Sequence, residues 1–351
     1  MSWISDIARP DIVALNPYEH ASWEPHLERL HANELPWRPT GDDTGAGLNR
    51  YPEPQPRELV NRLAALYGAE PAQVLVGRGS DEAIDLLVRC FCRAGQDAVL
   101  ICPPTFGMYA VAARIQGADV VSVPLQVDAD FGLNVDEILR QCTPRVKLVF
   151  LCSPNNPTGN LLNEADVLHL AARLEGRALV VVDEAYVEFA GVESLIKHVK
   201  ELPQLAVMRT LSKSHGLAGA RCGTLIANPE IIALLRKVIP PYAITQLTVE
   251  AVMKLLEPSQ IAVMNYRISE IQSERARVMQ AVKTLPGVRR VWPTDSNFFL
   301  VDFDDPERAL TRARAANLLI RDIRAQAGIG RTVRISIGTP EQNDRLIGAL
   351  R

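Results

Sequence analysis

The 351-residue chain predicts an α/β fold: a large domain built on a mostly parallel sheet flanked by helices, plus a smaller α+β domain. Three observations carry this. Short runs of Val, Leu and Ile alternate with helical stretches. Several runs are continuously apolar, as strands covered on both faces must be. After about residue 257 the pattern changes to one long charged helix followed by separated strands.

Along the chain, residues 1–49 are irregular and rich in Pro, Asn and Trp. They read as an arm that contributes to the small domain and to dimer contacts. A helical pattern through Leu59, Leu63, Leu66 and Tyr67 then stops at Gly68. The large domain, 50–257, carries its predicted strands at Val74–Val76, Ala98–Cys102, Val120–Val123, Val146–Cys152, Ala178–Val182, Leu205–Met208 and Thr224–Ala227. In the small domain, 258–351, a helix is expected over Ile261–Leu285. Strands are expected at Asn297–Phe303 and Thr332–Ile337, and a last helix from Pro340.

Composition narrows the function classes. Lys plus Arg number 38 and Asp plus Glu 41, a net charge of −3 with no basic stripe. Binding to a phosphate backbone is therefore not expected. The N-terminal residues lack an apolar core of signal-peptide kind, and no apolar run approaches the roughly 20 residues of a membrane span. The six cysteines and six histidines show no ligand spacing, so no metal is expected. Scattered thiols suit a reducing, cytoplasmic setting.

Four polar clusters each follow a predicted strand directly, at the rim where open α/β sheets bind ligands. After Val76 comes Gly77-Arg78-Gly79-Ser80-Asp81-Glu82 and a helix. Its free N–H groups suit a phosphate, though an ordinary strand–helix turn reads equally well. After Cys152 comes Ser153-Pro154-Asn155-Asn156-Pro157-Thr158-Gly159, a stiffened turn presenting the Asn156 amide. Asp183 closes the third strand. Burial makes a lone carboxylate there costly, and its plain alternative is a helix cap. Thr210-Leu211-Ser212-Lys213 follows the fourth, with Arg221 eight residues on and Gly216, Gly219 and Gly223 around it. Together they supply an amine, an acid and anion donors, the three things that pyridoxal phosphate requires. A nicotinamide oxidoreductase built on Gly77-Arg78-Gly79 is the rival from another class. It needs an acid at a second strand's end, whereas Asp97 precedes its strand.

These motifs resemble the fold-type I pyridoxal-phosphate aminotransferases. The likeness runs from Leu30-His31-Ala32-Asn33-Glu34 to Arg334-Ile335-Ser336-Ile337-Gly338-Thr339. Within that family Asn49-Arg50-Tyr51-Pro52, Cys102-Pro103-Pro104-Thr105-Phe106-Gly107-Met108-Tyr109 and Thr210-Leu211-Ser212-Lys213 together resemble the histidinol-phosphate branch. The resemblance implies that Lys213 holds the cofactor as a Schiff base and moves the proton, and that Asp183 faces the pyridine nitrogen. It implies that Tyr186 and Asn156 reach the ring 3′ oxygen and that Tyr109 stacks on the ring. Ser80, Asp81, Ser212 and Arg221 would hold the phosphate, joined by Tyr51 from the second subunit of a homodimer. Tyr18, Asn33, Arg321 and Arg334 would bind the substrates, L-histidinol phosphate and 2-oxoglutarate or glutamate. Rival substrates on the same fold are an aromatic amino acid, or a phosphorylated amino acid undergoing decarboxylation. Ser214-His215-Gly216 departs from the family's usual Ala-Phe-Ala, and His215 reads as wall lining. The short stretch between Asp322 and Arg331 leaves the placement of Arg321 open.

Overall fold

A computed structural model describes residues 2–24, 26–326 and 328–351. Seven strands form the large sheet: β1 (Val74–Gly77), β2 (Ala98–Ile101), β3 (Asp119–Ser122), β4 (Val146–Cys152), β5 (Leu179–Asp183), β6 (Leu205–Thr210) and β7 (Gly223–Ile226). Their order is β1-β7-β6-β5-β4-β2-β3. All neighbours run parallel except β7, which is antiparallel to both β1 and β6. The continuous apolar runs feed two cores at once. Val149, Leu151, Val180 and Val182 face one side, while Leu148, Phe150, Leu179 and Val181 face the other. Alternating side-chain direction explains the split, and the sheet is buried on both faces.

The smaller sheet comprises β8 (Val288–Val291), β9 (Phe298–Phe303), β10 (Arg321–Asp322) and β11 (Thr332–Ser336), in order β10-β11-β9-β8 and wholly antiparallel. Helices Pro258–Lys283, Pro306–Ala315 and Pro340–Leu350 cover one face, enclosing Phe299, Val301, Val333 and Ile335. From the other face Leu300 joins the large domain's core, so the two units share packing. A small cluster of Tyr186, Phe189 and Phe298, with Ile268 and Ile271 against it, ties the end of the large sheet to the long helix.

The arm differs from its expected place at its start. Two short helices, Trp3–Ile7 and Pro10–Val13, bury Ile4, Ile7 and Ile12 in the large domain's core. The Arg9 amide donates to the Cys90 carbonyl at 2.9 Å, and Lys237 Nζ donates to the Val13 carbonyl at 2.7 Å. Apolar spacing over so few residues was too short a signal to show this packing. Further on, buried Glu34 pins the irregular chain, accepting from Arg29 at 2.7 Å, Arg50 at 2.9 Å and the Tyr51 amide at 2.6 Å.

Candidate active site

The carboxyl ends of β4, β5 and β6 lie side by side, with Cys152 in register with Asp183 and Asp183 in register with Met208. The loops leaving them therefore converge. They wall a cavity of about 520 Å³. From the large domain Ser80, Asp81, Asn156, Asp183, Tyr186, Ser212, Lys213 and Arg221 line it, and from the small domain Arg321 and Arg334.

At one end the chain builds an anion site. Helix Ser80–Phe91 has no side-chain cap, so its first N–H groups stay open and its dipole is positive there. Gly79 precedes it at φ +89°, and a Cβ there would meet Arg221 Nη2 at 2.7 Å. Arg221, itself left-handed at φ +54°, reaches Asp81 Oδ2 at 3.2 Å and the Ala218 carbonyl at 3.3 Å. Such a backbone costs about 1 kcal/mol outside glycine, and here it turns the guanidinium onto the helix start. Gly223 fits only because it has no side chain. A Cβ would lie 2.3 Å from the Gly79 carbonyl carbon and 2.5 Å from the Ser80 nitrogen. Gly223→Ala is expected to lower stability by about 3 kcal/mol or more and to weaken retention of a phosphorylated ligand. Calorimetric melting and gel filtration with added ligand would check both.

At the other end Asp183 is fully enclosed. Burial pushes its carboxyl up to about 6, against the opposing pull of Tyr109, whose hydroxyl donates to Oδ2 at 2.8 Å, and of the Ala185 amide. Tyr109 is thus placed otherwise than expected. Its ring is completely buried, stacked on Phe150 at 4.9 Å, and its hydroxyl serves the carboxylate; it does not face the cavity. Phe106, in the loop after β2, lines the cavity instead. Position beyond a strand's carboxyl end was the available signal for Phe106, overlooked beside the more polar neighbours.

Asn155 fixes the loop that aims Asn156. It donates to the Pro104 carbonyl at 2.8 Å and to Thr158 at 2.6 Å, and accepts from Thr105 at 2.9 Å. Asn156 Nδ2 then approaches the Tyr186 hydroxyl at 3.4 Å, while its Oδ1 accepts from Arg334. Lys213 Nζ stands 5.7 Å from the centre of the Tyr186 ring. Arg334 points inward from β11, its guanidinium 5.0 Å from the centre of the Phe298 ring. Antiparallel register sets Arg321 directly opposite it, so both guanidiniums leave one face of the sheet. Arg334 Nε is buried without a partner, and burial together with the like charge of Arg321 holds its pKa below the usual value. Two crowded cations, one of them with an open donor, are a site for an anion.

Three expected residues lie elsewhere. Tyr18 is 72% exposed and borders a separate cavity of about 270 Å³ with Trp23 and Arg236. Asn33 is exposed, at φ 55°. Tyr51 stacks on Tyr242 with ring centres 4.5 Å apart. None of the three lines the lysine cavity.

The residues present fit pyridoxal phosphate. One lysine lines the cavity, a buried carboxyl awaits a cationic ring nitrogen, and an uncapped helix start with two serines and Arg221 awaits a phosphate.

Comparisons with known proteins agree with this geometry. The model of the family described as aminotransferase class I and II matches residues 30–350. A histidinol-phosphate aminotransferase of Xanthomonas euvesicatoria pv. vesicatoria (strain 85-10) is 46% identical, covering 100% of this chain and 97% of that protein. The solved histidinol-phosphate aminotransferase of Clostridium acetobutylicum shares the fold, with a TM-score of 0.78 at 24% identity over 86% of this chain and 90% of that one. That of Sinorhizobium meliloti, solved in complex with pyridoxal-5′-phosphate, gives 0.77 at 26% identity over 86% and 82%. With four strand-end clusters gathered on one cavity and a family match spanning nearly its whole length, this chain belongs to the class I and II aminotransferases.

Proposed function

We propose that the chain uses pyridoxal 5′-phosphate to move an amino group reversibly between L-histidinol phosphate and 2-oxoglutarate, giving imidazole acetol phosphate and L-glutamate in histidine biosynthesis. One observation carries the reading most. Lys213, Asp183 and Arg221 share a cavity whose opposite wall holds the paired Arg321 and Arg334. The 46% identity to a histidinol-phosphate aminotransferase over the full chain supports the substrate.

When bound, the cofactor supplies an electron sink for the carbanion at the substrate Cα. This chain's residues do the rest. Lys213 would hold the cofactor through its amine and would take the proton from the substrate Cα. Asp183, as a carboxylate, would face the ring nitrogen and keep it protonated. Asn156 and Tyr186 would hold the 3′ oxygen. The Ser80 and Ser212 hydroxyls, the Asp81 backbone N–H and the Arg221 guanidinium would seat the phosphate at the helix start. Arg334 and Arg321 grip the substrate's far anion. A planar guanidinium binds a phosphate ester or a carboxylate bidentately, so the same pair serves both amino donors in turn.

Turnover of the purified enzyme on histidinol phosphate is expected to exceed that on phenylalanine by a wide margin, without release of carbon dioxide. A clear preference for phenylalanine, or measurable decarboxylation, would sink the substrate assignment. Arg334→Gln is expected to raise KM for histidinol phosphate by about 100-fold, the worth of two charge-assisted hydrogen bonds, as steady-state kinetics would show.

We also propose a homodimer in which Tyr51 of one protomer and the arm carrying Tyr18 and Asn33 complete the other's site. In one chain these residues stand apart from the cavity, and Tyr18 is exposed. Light scattering is expected to give twice the chain mass. The cytoplasm is the proposed setting, in keeping with six buried, unbridged cysteines.

A further inference from the structure

One polar residue on the arginine wall of the lysine cavity has no task in the chemistry above. Among the described residues the small domain lends that cavity Arg321, Ile323, Gln326 and Arg334. The cavity's carboxylates, Asp81 and Asp183, both come from the large domain. Gln326 is thus a neutral polar side chain on an otherwise cationic and apolar wall.

Packing holds it there. Ile323 and Ile329 are buried and join the large domain's core, so the chain after β10 is pinned across the domain boundary. Asp322 Oδ1 accepts from the Arg324 amide at 3.0 Å, and the Arg324 guanidinium bridges Asp322 at 2.7 Å and Glu307 at 2.8 Å. The Gln326 backbone N–H donates to the Ile323 carbonyl at 2.9 Å, closing a turn between these anchors. The side chain itself is unengaged. Gln326 is half-buried, its Oε1 is enclosed with no partner, and its carboxamide makes no hydrogen bond among the described residues. With the oxygen turned into the protein, the N–H2 end is what the cavity meets. Buried amides are rarely left unpaired, and an exception at a ligand cavity calls for a ligand.

The shape of the anion says which ligand. Arg321 and Arg334 leave one face of the sheet side by side, so they meet an anion from one direction. A carboxylate turns both its oxygens that way. A phosphate ester has a third terminal oxygen, turned aside at the tetrahedral angle, and it needs a donor from elsewhere. We propose that Gln326 is a specificity-determining residue: its side-chain N–H2 donates to that third oxygen of a phosphorylated amino donor, a contact no carboxylate makes. This rests on Arg321 and Arg334 gripping the substrate's far anion. Because the amide is neutral, it favours the phosphate without tightening the hold on every anion.

The test uses the holoenzyme, so that the helix-start phosphate site is already filled. Ethyl phosphate and glutarate each carry about two negative charges at pH 8, which matches their total charge and leaves shape to differ. In titration calorimetry Gln326→Leu is expected to raise Kd for ethyl phosphate about tenfold, the worth of one hydrogen bond to a charged group, with Kd for glutarate within about twofold. The kcat/KM for histidinol phosphate is expected to fall by about the same tenfold, and that for glutamate to stay within about twofold. Gln326→Glu keeps the shape but adds a negative charge, and it serves where leucine upsets the loop. It is expected to weaken ethyl phosphate by about 100-fold and glutarate by clearly less. Equal losses on the two anions in either variant, or an unchanged Kd for ethyl phosphate, overturn the proposal. Should the wild type fail to turn over histidinol phosphate, the functional reading fails instead, and the two titrations still decide the contact.

Discussion

Lys213→Ala is expected to abolish transamination, with a loss of at least about 10⁴-fold, and to remove the visible absorbance band of the native protein. Two roles vanish together, covalent anchoring and proton transfer at Cα, and proton transfer alone accounts for about 10²–10⁴. No second amine could substitute, since Lys213 is the one lysine among the cavity's lining residues. The alanine variant should still bind the cofactor through its phosphate, because Ser80, Ser212 and Arg221 are unchanged, but should release it on gel filtration. Absorbance spectra of native and variant protein, taken before and after filtration, would check this. A native protein without any visible band would sink the assignment of the cofactor.

Asp183→Asn is expected to act in opposite directions on activity and on the stability of the cofactor-free protein. Without the carboxylate the ring nitrogen is no longer held protonated, and activity should fall by about 10³-fold or more. Stability follows from burial. The folded carboxyl sits at about 6, against 3.8 for the unperturbed group. A raised carboxyl means that the folded state retains the proton better, so its contribution is fully present below about 3.8 and is lost as pH rises through about 6. At pH 8 the empty protein thus buries an unpaired negative charge at a cost of about 3 kcal/mol. The asparagine removes that cost while still accepting from Tyr109. Calorimetry of the cofactor-free proteins should show the variant melting higher at pH 8 and nearly level with wild type at about pH 3.5. Equal melting at both pH values would show that Asp183 is solvated.

These predictions differ in how far the sequence foretold them. Lys213, Asp183, Asn156 and Ser80 were legible because each stands directly after an apolar run, and chain order alone puts such residues at a parallel sheet's carboxyl rim. The role of Tyr109 was not legible. Helical spacing marks it as facing inward, but only the packing of helix Met108–Gln116 against Phe150 shows its hydroxyl meeting Asp183 from below. Arg321 was uncertain because a two-residue strand leaves no periodic trace.

By itself, then, the chain's order of apolar and polar segments determined the layered architecture, the chemistry-bearing residues and the family likeness, because these depend on local spacing and on residue type. Tertiary structure alone decided which way Arg334 points, what stands behind Asp183 and where the arm's first helices lie. Each of those is a contact between segments distant in sequence. Its sign is set by burial and by the surrounding charges, which only the packed chain brings within range.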